Sequence, residues 1–503
     1  MAIAPLDEAG LSFHTSQGRW VIAATVLGSG IASLDATVVG IALPSIGRSF
    51  HSGVGTLQWV VTGYALTLAA FLLLGGSLGD RLGRKRVFSI GVVWFAVASA
   101  CCGVAPNAGT LIAARIVQGV GGALLAPASL AILQASFRSD DRSRAIGAWS
   151  GLGGVAAAAG PLIGGYLIAA GSWRYVFYIN IPLSIGVLAV TARHVPETRD
   201  PTSAGRVDVP GAALAVLFLA GLTYGLIEGP GHGWTSPVVL AALVLAAVTG
   251  PAFLLAEHRE RHPMLPLGLF RSLQFSGANA VTFIVYGALG GALFLLPIEL
   301  QLVSRYSPLD SGLSLLPVTA VMLAFSARSG QLSARIGPRL QMTAGPVVVG
   351  AGLLVLTRAT AGDGDYLTQV LPAILIFGLG LAITVAPLTS TAMAAAPAEH
   401  AGVASAVNNV VARAAGLLAV AVLPLLAGIT GAAALEPHHF AGGFRTAVII
   451  AGLTCAGGGL LAALTIRNPP DAPHLRHPHM RNYYCAVDGA PLQPSDASRG
   501  GRT

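Results

Sequence analysis

Between two long apolar runs the chain reads Gly76-Ser-Leu-Gly-Asp80-Arg81-Leu-Gly83-Arg84-Lys85-Arg86. A weaker copy returns at Gly330-Gln-Leu332-Ser-Ala334-Arg335-Ile-Gly337-Pro338-Arg339. A basic, glycine-bounded loop between apolar segments is a short connection between membrane helices on the side where Lys and Arg accumulate. Its recurrence implies a duplicated helical unit.

The rest of the composition agrees. The 503 residues are 54% hydrophobic and 10% charged, with a mean hydropathy of +0.72. A soluble domain would carry about a quarter charged residues. The apolar residues are gathered in runs of about twenty, the length of a helix that crosses the hydrocarbon layer. The 64 glycines suit helices that approach closely. The formal charge of +8 is a topology signal in short loops, not a nucleic-acid footprint. The four cysteines form neither a zinc pattern nor a disulfide framework. Residues 1–18 carry no cleavable signal pattern, so the first helix is its own insertion signal.

About fourteen spans follow from length and hydropathy. Two short ones, 175–192 and 311–328, contain Pro182 and Pro317. With the N-terminus placed inside, about 22 Lys and Arg fall on the inner side. Arg48, Arg174, Arg305, Arg358 and Arg445 fall outside, and Arg115 and Arg413 fall within spans. Both termini are therefore expected in the cytoplasm. The first loop joins spans two and three and its copy joins spans ten and eleven. Leu125-Ala-Pro127-Ala-Ser129 and Val385-Ala-Pro387-Leu-Thr389 likewise close spans four and twelve. The expected organisation is a cytoplasmic 1–18, a six-helix bundle over 19–193, two inserted helices over 210–256, a second six-helix bundle over 275–466 and a polar tail over 467–503. Paired repeats of this kind place a substrate site at the midplane between them.

The motifs resemble those of the major facilitator superfamily, and in particular its fourteen-helix drug:proton antiporter branch. The quoted loop is close to the family's Gly-x-Leu-x-Asp-Arg-x-Gly-Arg-Lys. Leu34-Asp35-Ala-Thr37-Val-Val-Gly40-Ile-Ala42-Leu43-Pro44 matches its first-helix motif, with Gly40 where the family usually has Asn. Arg115-Ile-Val-Gln118-Gly119-Val-Gly121-Gly122 matches the fourth helix. Gly160-Pro161-Leu-Ile-Gly164-Gly165 matches the segment that the family associates with antiport. Gln58-Trp59-Val-Val-Thr-Gly63-Tyr64 and Trp173-Arg174-Tyr-Val-Phe-Tyr-Ile-Asn180-Ile-Pro182 are similar to the fourteen-helix branch. The resemblance implies an all-α membrane protein of two bundles and two extra helices.

Each motif has a chemical reading and a plainer one. Asp35 stands out as the one acid well inside a span, and an intramembrane acid is a functional candidate by default. It lies about 12 Å and Arg115 about 7 Å from the outer surface at 1.5 Å per residue, so the two can pair. Such a pair is either a proton-coupling site or a static ion pair. Gly76, Asp80, Arg81, Gly83, Arg84 and Lys85 form either a positive-inside anchor or a conformational latch, in which Asp80 pairs across the bundle interface. Ala334 replaces the acid in the second copy. Gly160, Pro161, Gly164 and Gly165 give a smooth face for close packing and a seal against proton leak. Gln118 and the span-thirteen cluster Asn408, Asn409 and Arg413 either line the cavity or bond helices together. Tyr64, Tyr224 and Tyr286 can stack on a substrate or mark an interface, and mid-helix Tyr64 is the best placed. Glu228 and Glu299 are expected at the surface. His474, His477 and His479 lie in a polar tail and form no metal site.

No phosphate-binding loop is present, so ATP is not the driving force. The expected protein is a non-enzymatic, monomeric transporter of the cell membrane without cofactor. It exchanges protons inward for an amphipathic small molecule outward. The lone deep acid points to neutral or singly charged compounds. Export or exchange of a metabolite is the rival reading, and a non-transporting sensor or scaffold a further one. The latter leaves a costly buried acid without a use.

Overall fold

Each of the two related loops closes on one glycine. In the computed structural model, which describes residues 10–199, 208–260, 265–360, 365–397 and 401–468, helix α2 (Val54–Leu82) ends at Gly83 and α3 (Arg84–Gly103) begins at the next residue. Gly83 has φ +107°, where a side chain is strained. The copy behaves identically. Helix α10 (Pro308–Ile336) ends at Gly337, φ +83°, and α11 (Pro338–Val355) starts there.

The remaining spans are α1 (Ser16–Phe50), α4 (Ala108–Ser136), α5 (Ser139–Ala169), α6 (Tyr175–His194), α7 (Val209–His232), α8 (Pro237–Arg259), α9 (Leu273–Leu302), α12 (Tyr366–Ala394), α13 (Ala401–Leu426) and α14 (Pro437–Thr465). Fourteen helices among the described residues are long and apolar enough to cross a membrane, and none of these residues forms a sheet strand. Polar caps set their ends. The Thr15 hydroxyl accepts from Gly18 N at 3.1 Å, and Asn107 Oδ1 accepts from Thr110 N at 2.9 Å. The span expected at 311–328 is longer because Ser307 Oγ accepts from Asp310 N at 3.1 Å. This cap adds a polar turn that a hydropathy window discards. The tail histidines and Cys485 lie outside the described residues.

Helix neighbours repeat with a shift of eight. α2 packs on α4 and α10 on α12; α3 on α4 and α11 on α12; α1 on α5 and α9 on α13; α1 on α6 and α9 on α14. α7 and α8 stand outside this pattern, packed on each other, with α7 against α2 and α13. Glu228, expected at the surface, belongs to this junction. It accepts from Trp59 Nε1 of α2 at 2.7 Å and pairs with His232 at 3.0 Å.

Candidate functional site

Helices α1, α4 and α6 converge on one buried carboxylate. Asp35 lies mid-way along α1 and is wholly buried, and Arg115 on α4 is 1% exposed. Arg115 Nη1 donates to Asp35 Oδ2. The other carboxylate oxygen accepts from Gln118 Nε2 at 3.0 Å and Asn180 Nδ2 at 2.9 Å. Arg115 and Gln118 share a face of α4 because they are three residues apart. Arg115 Nη1 also donates to Gln118 Oε1 at 2.7 Å, and its Nε donates to the Val60 carbonyl of α2 at 3.1 Å. Ser99 of α3 accepts from Asn180 at 2.9 Å and donates to the Phe177 carbonyl at 2.9 Å. The Tyr64 ring lies under the guanidinium, 4.2 Å from Cζ. Every contact to Asp35 comes from a donor, a bonding set that suits an ionised carboxylate.

Two corrections follow. Gln118 belongs to this network and not to the cavity wall, because its position on α4 turns it toward Asp35. Asn180 was quoted within a motif but not singled out. An amide in a helix with few polar residues was the available signal. Gly40, the departure from the family's Asn, does not leave Asp35 short of donors, since Gln118 and Asn180 supply them. It lines a cavity, where a Cβ would meet only Leu293 O at 3.9 Å.

That cavity, about 270 Å³, lies between the two bundles. It is just below the range of about 300–1,000 Å³ usual for a drug-sized ligand. Tyr64 and Arg115 contribute from one side, and Tyr286, Leu293 and Arg413 from the other. Asn408 and Asn409 do not line it. Asn408, a quarter-turn off the cavity face, donates to Asn279 Oδ1 at 3.2 Å and Thr282 Oγ1 at 2.7 Å of α9. Asn409 is exposed and donates to the Ser405 carbonyl at 3.1 Å. Tyr224 packs against Trp59 instead, with ring centroids 5.9 Å apart.

The cavity is closed at the end nearest Gly171. There Gln58 Nε2 of α2 donates to Val420 O of α13 at 2.7 Å, and Gln301 Nε2 of α9 donates to Ile41 O of α1 at 3.0 Å. Gly160 and Gly164 let α5 press on Thr37 and Val38 of α1. Gly165 lies against Pro308 and Leu309 of α10, and Gly312 of α10 against the Pro161 carbonyl. Residues 147, 151, 154, 161 and 165 form one stripe along α5. The stripe touches α10 at its last two positions. At Gly147, Gly151 and Gly154 a Cβ would meet nothing within 4 Å. The helices therefore splay apart toward the Gly83 end.

At that splayed end Asp80 makes no bond across the bundles. Arg84, four residues on, holds it through Nε at 2.9 Å and Nη2 at 2.7 Å. Local geometry satisfies the acid within its own loop. Arg81 is exposed, and Gly76 lies 3.5 Å from Pro127 at the position its Cβ would take. Lys85 Nζ donates to the Ala192 carbonyl at 3.1 Å. Glu197 caps α3, accepting from Lys85 N at 3.1 Å and Arg86 N at 3.2 Å. Its carboxylate occupies the space where a Gly83 side chain would stand.

Glu299 overturns two expectations, a surface location and the uniqueness of Asp35. It is wholly buried in α9, and neither carboxylate oxygen has a hydrogen-bond partner. Only helix rotation decides this, because the same residue turned by half a turn would face water or headgroups. Glu299→Gln replaces an acid that has no hydrogen-bond partner to lose with an isosteric amide. It is expected to change stability by less than about 1 kcal/mol and to leave transport within about two-fold. Thermal unfolding in detergent and a transport assay check both.

The model of the Major Facilitator Superfamily matches residues 25–421. The chain is 37% identical to the multidrug resistance protein Stp of Mycobacterium tuberculosis over 416 residues, 82% of this chain and 77% of that one. It is 34% identical to the tetracenomycin C resistance and export protein of Streptomyces glaucescens, covering 84% and 79%. It is 35% identical to the methylenomycin A resistance protein of Streptomyces coelicolor, covering 89% and 92%. Among solved structures, a bacterial homologue of the human lysosomal transporter Spinster, inward-facing and unoccupied, superposes with a TM-score of 0.66 at 16% identity. That match covers 90% of this chain and 97% of that one, and it speaks to the fold alone.

Proposed function

Since this chain belongs to the Major Facilitator Superfamily, we propose that it is a proton-coupled efflux transporter of amphipathic antibiotics or drugs, working by alternating access. The observation that carries the reading is the buried Asp35–Arg115 pair, whose arginine stands in the wall of a cavity between two bundles while the acid lies behind it. A buried ion pair is a poor stabiliser, so its presence here calls for a use. Protonation of Asp35 would remove the charge that gathers Arg115, Gln118 and Asn180, and with it the tie between α1, α4 and α6. Proton occupancy then biases the packing of the first bundle, and so which end of the cavity is open.

The basic Gly83 end is taken as cytoplasmic under the positive-inside rule. The geometry is then an inward-facing state in a bacterial cell membrane, with both termini inside. In the outward-facing state Asp80 would leave Arg84 and engage the second bundle, which is the latch expected from the loop. One proton moving through about 150 mV supplies roughly 3.5 kcal/mol. That supports roughly a 300-fold gradient of a neutral solute. The protein works as a monomer without cofactor.

Expressing cells should accumulate less of a fluorescent drug than control cells, by about five-fold or more, and a protonophore should abolish the difference. A difference that persists after the proton gradient has collapsed would point to another energy source. No difference for any compound in an antibiotic and dye panel would remove the efflux assignment.

A further inference from the structure

Arg413 is a guanidinium in the middle of a membrane helix with no counter-charge. It lies twelve residues from the start of α13 and thirteen from its end. None of the ion pairs among the described residues includes it, and its Nε is buried without a hydrogen-bond partner. It faces the central cavity. The charge cannot escape along the side chain to an interface, because a residue at mid-span is about 18 Å from either helix end. A cation so placed is expensive and marks a site where something completes it.

The rest of the wall narrows what that is. The charged residues on it are Arg115 and Arg413, and no carboxylate joins them. Arg115 is already neutralised by Asp35, which lies behind it and is wholly buried. The cavity therefore presents one net positive charge, carried by Arg413, with the Tyr286 and Tyr64 side chains on the same wall. Around them the surface is aliphatic and aromatic, with Leu289, Leu293, Phe294 and Leu417. A lipophilic cation, the common cargo of promiscuous drug sites, would meet like charge here.

We propose that this cavity selects amphipathic molecules bearing one acidic group such as a carboxylate, with the anion held by Arg413 and the apolar body against the leucines and Phe294. This rests on the reading of the cavity as the transport site and adds the substrate class. It also separates the two jobs: Asp35 on the first bundle carries the proton and Arg413 on the second carries the substrate. Coupling runs through the packing between them and not through competition for one carboxylate.

The probes are 1-pyrenebutyrate and the matched amine 1-pyrenebutylamine, which share an apolar body and differ in charge. Binding to the purified full-length protein is read by fluorescence polarisation in detergent. The carboxylate should bind about ten-fold or more tighter than the amine, the contribution of a charge-assisted hydrogen bond. Arg413→Gln should erase the preference, and Arg413→Lys should retain most of it. Equal binding, tighter binding of the amine, binding of neither, or an unchanged preference in Arg413→Gln overturns the proposal. The wild-type comparison decides the matter if a variant does not fold. Absence of proton-driven transport in the wild-type protein, with the binding preference intact, would count against the efflux mechanism alone.

Discussion

Asp35→Asn is expected to lower proton-driven transport by about 100-fold or more while leaving downhill substrate exchange within a few-fold. The amide cannot carry the proton, so the gradient loses its handle on the first bundle. Whichever way the amide is turned, its NH2 meets a donor, Arg115 at one oxygen position or Gln118 and Asn180 at the other. Breaking one side of a buried pair costs roughly 3–5 kcal/mol, so the variant should melt earlier. Arg115→Gln added to Asp35→Asn should recover much of that stability, because no unpaired cation remains, yet should not recover coupling. This non-additivity separates a structural pair from a coupling pair. Everted vesicles with an imposed pH gradient measure the driven rate, and counterflow in proteoliposomes measures exchange. Undiminished driven transport in Asp35→Asn would place the proton elsewhere, with buried Glu299 the next acid to test.

Gly312→Leu should hold the transporter open at the Gly171 end. A Cβ at this position would fall on the Pro161 carbonyl, and Gly165 is pressed just as closely against Pro308 and Leu309. The α5–α10 seam can close only with bare backbone on both sides. Overpacking there costs about 2 kcal/mol, and that shifts a two-state ratio by roughly 30-fold. Net export should fall at least ten-fold, while the bundles themselves remain folded because the substitution touches neither interior. Spin labels on α5 and α10 near Gly171, in a chain with its native cysteines replaced, report the separation. An unchanged distance distribution together with unchanged export would mean that the seam is not the gate.

The two loops show how far local sequence reaches. Gly76–Arg86 and its copy at Gly330–Arg339 announced a duplication, and the helices do repeat their neighbours with a shift of eight. The Asp35–Arg115 pairing was legible too, because depth in a helix follows from counting residues. The residues that complete that site were harder to read. Gln118, Asn408, Asn409 and Arg413 were read as either lining the cavity or bonding helices together: Gln118 bonds the carboxylate, Asn408 bonds α9, and only Arg413 lines the cavity. Adjacent positions on a helix point about 100° apart, and weakly amphipathic membrane helices carry little signal for which face is inward.

What the sequence determined by itself was the number and order of the helices, the internal repeat, the basic faces of its loops and the pairing of two mid-span charges. These depend on length, hydropathy and spacing along one helix. Only the tertiary structure decided that Glu299 is buried without a partner, that Asp80 makes no bond across the bundles, that the cavity is shut at Gly171 and parted at Gly83, and that Arg413 faces it uncompensated. Each of those depends on how one helix is rotated and packed against another, and on which of two bundle arrangements the chain adopts. Side-chain azimuth and conformational state arise from contacts between segments hundreds of residues apart, so no local stretch of sequence encodes them.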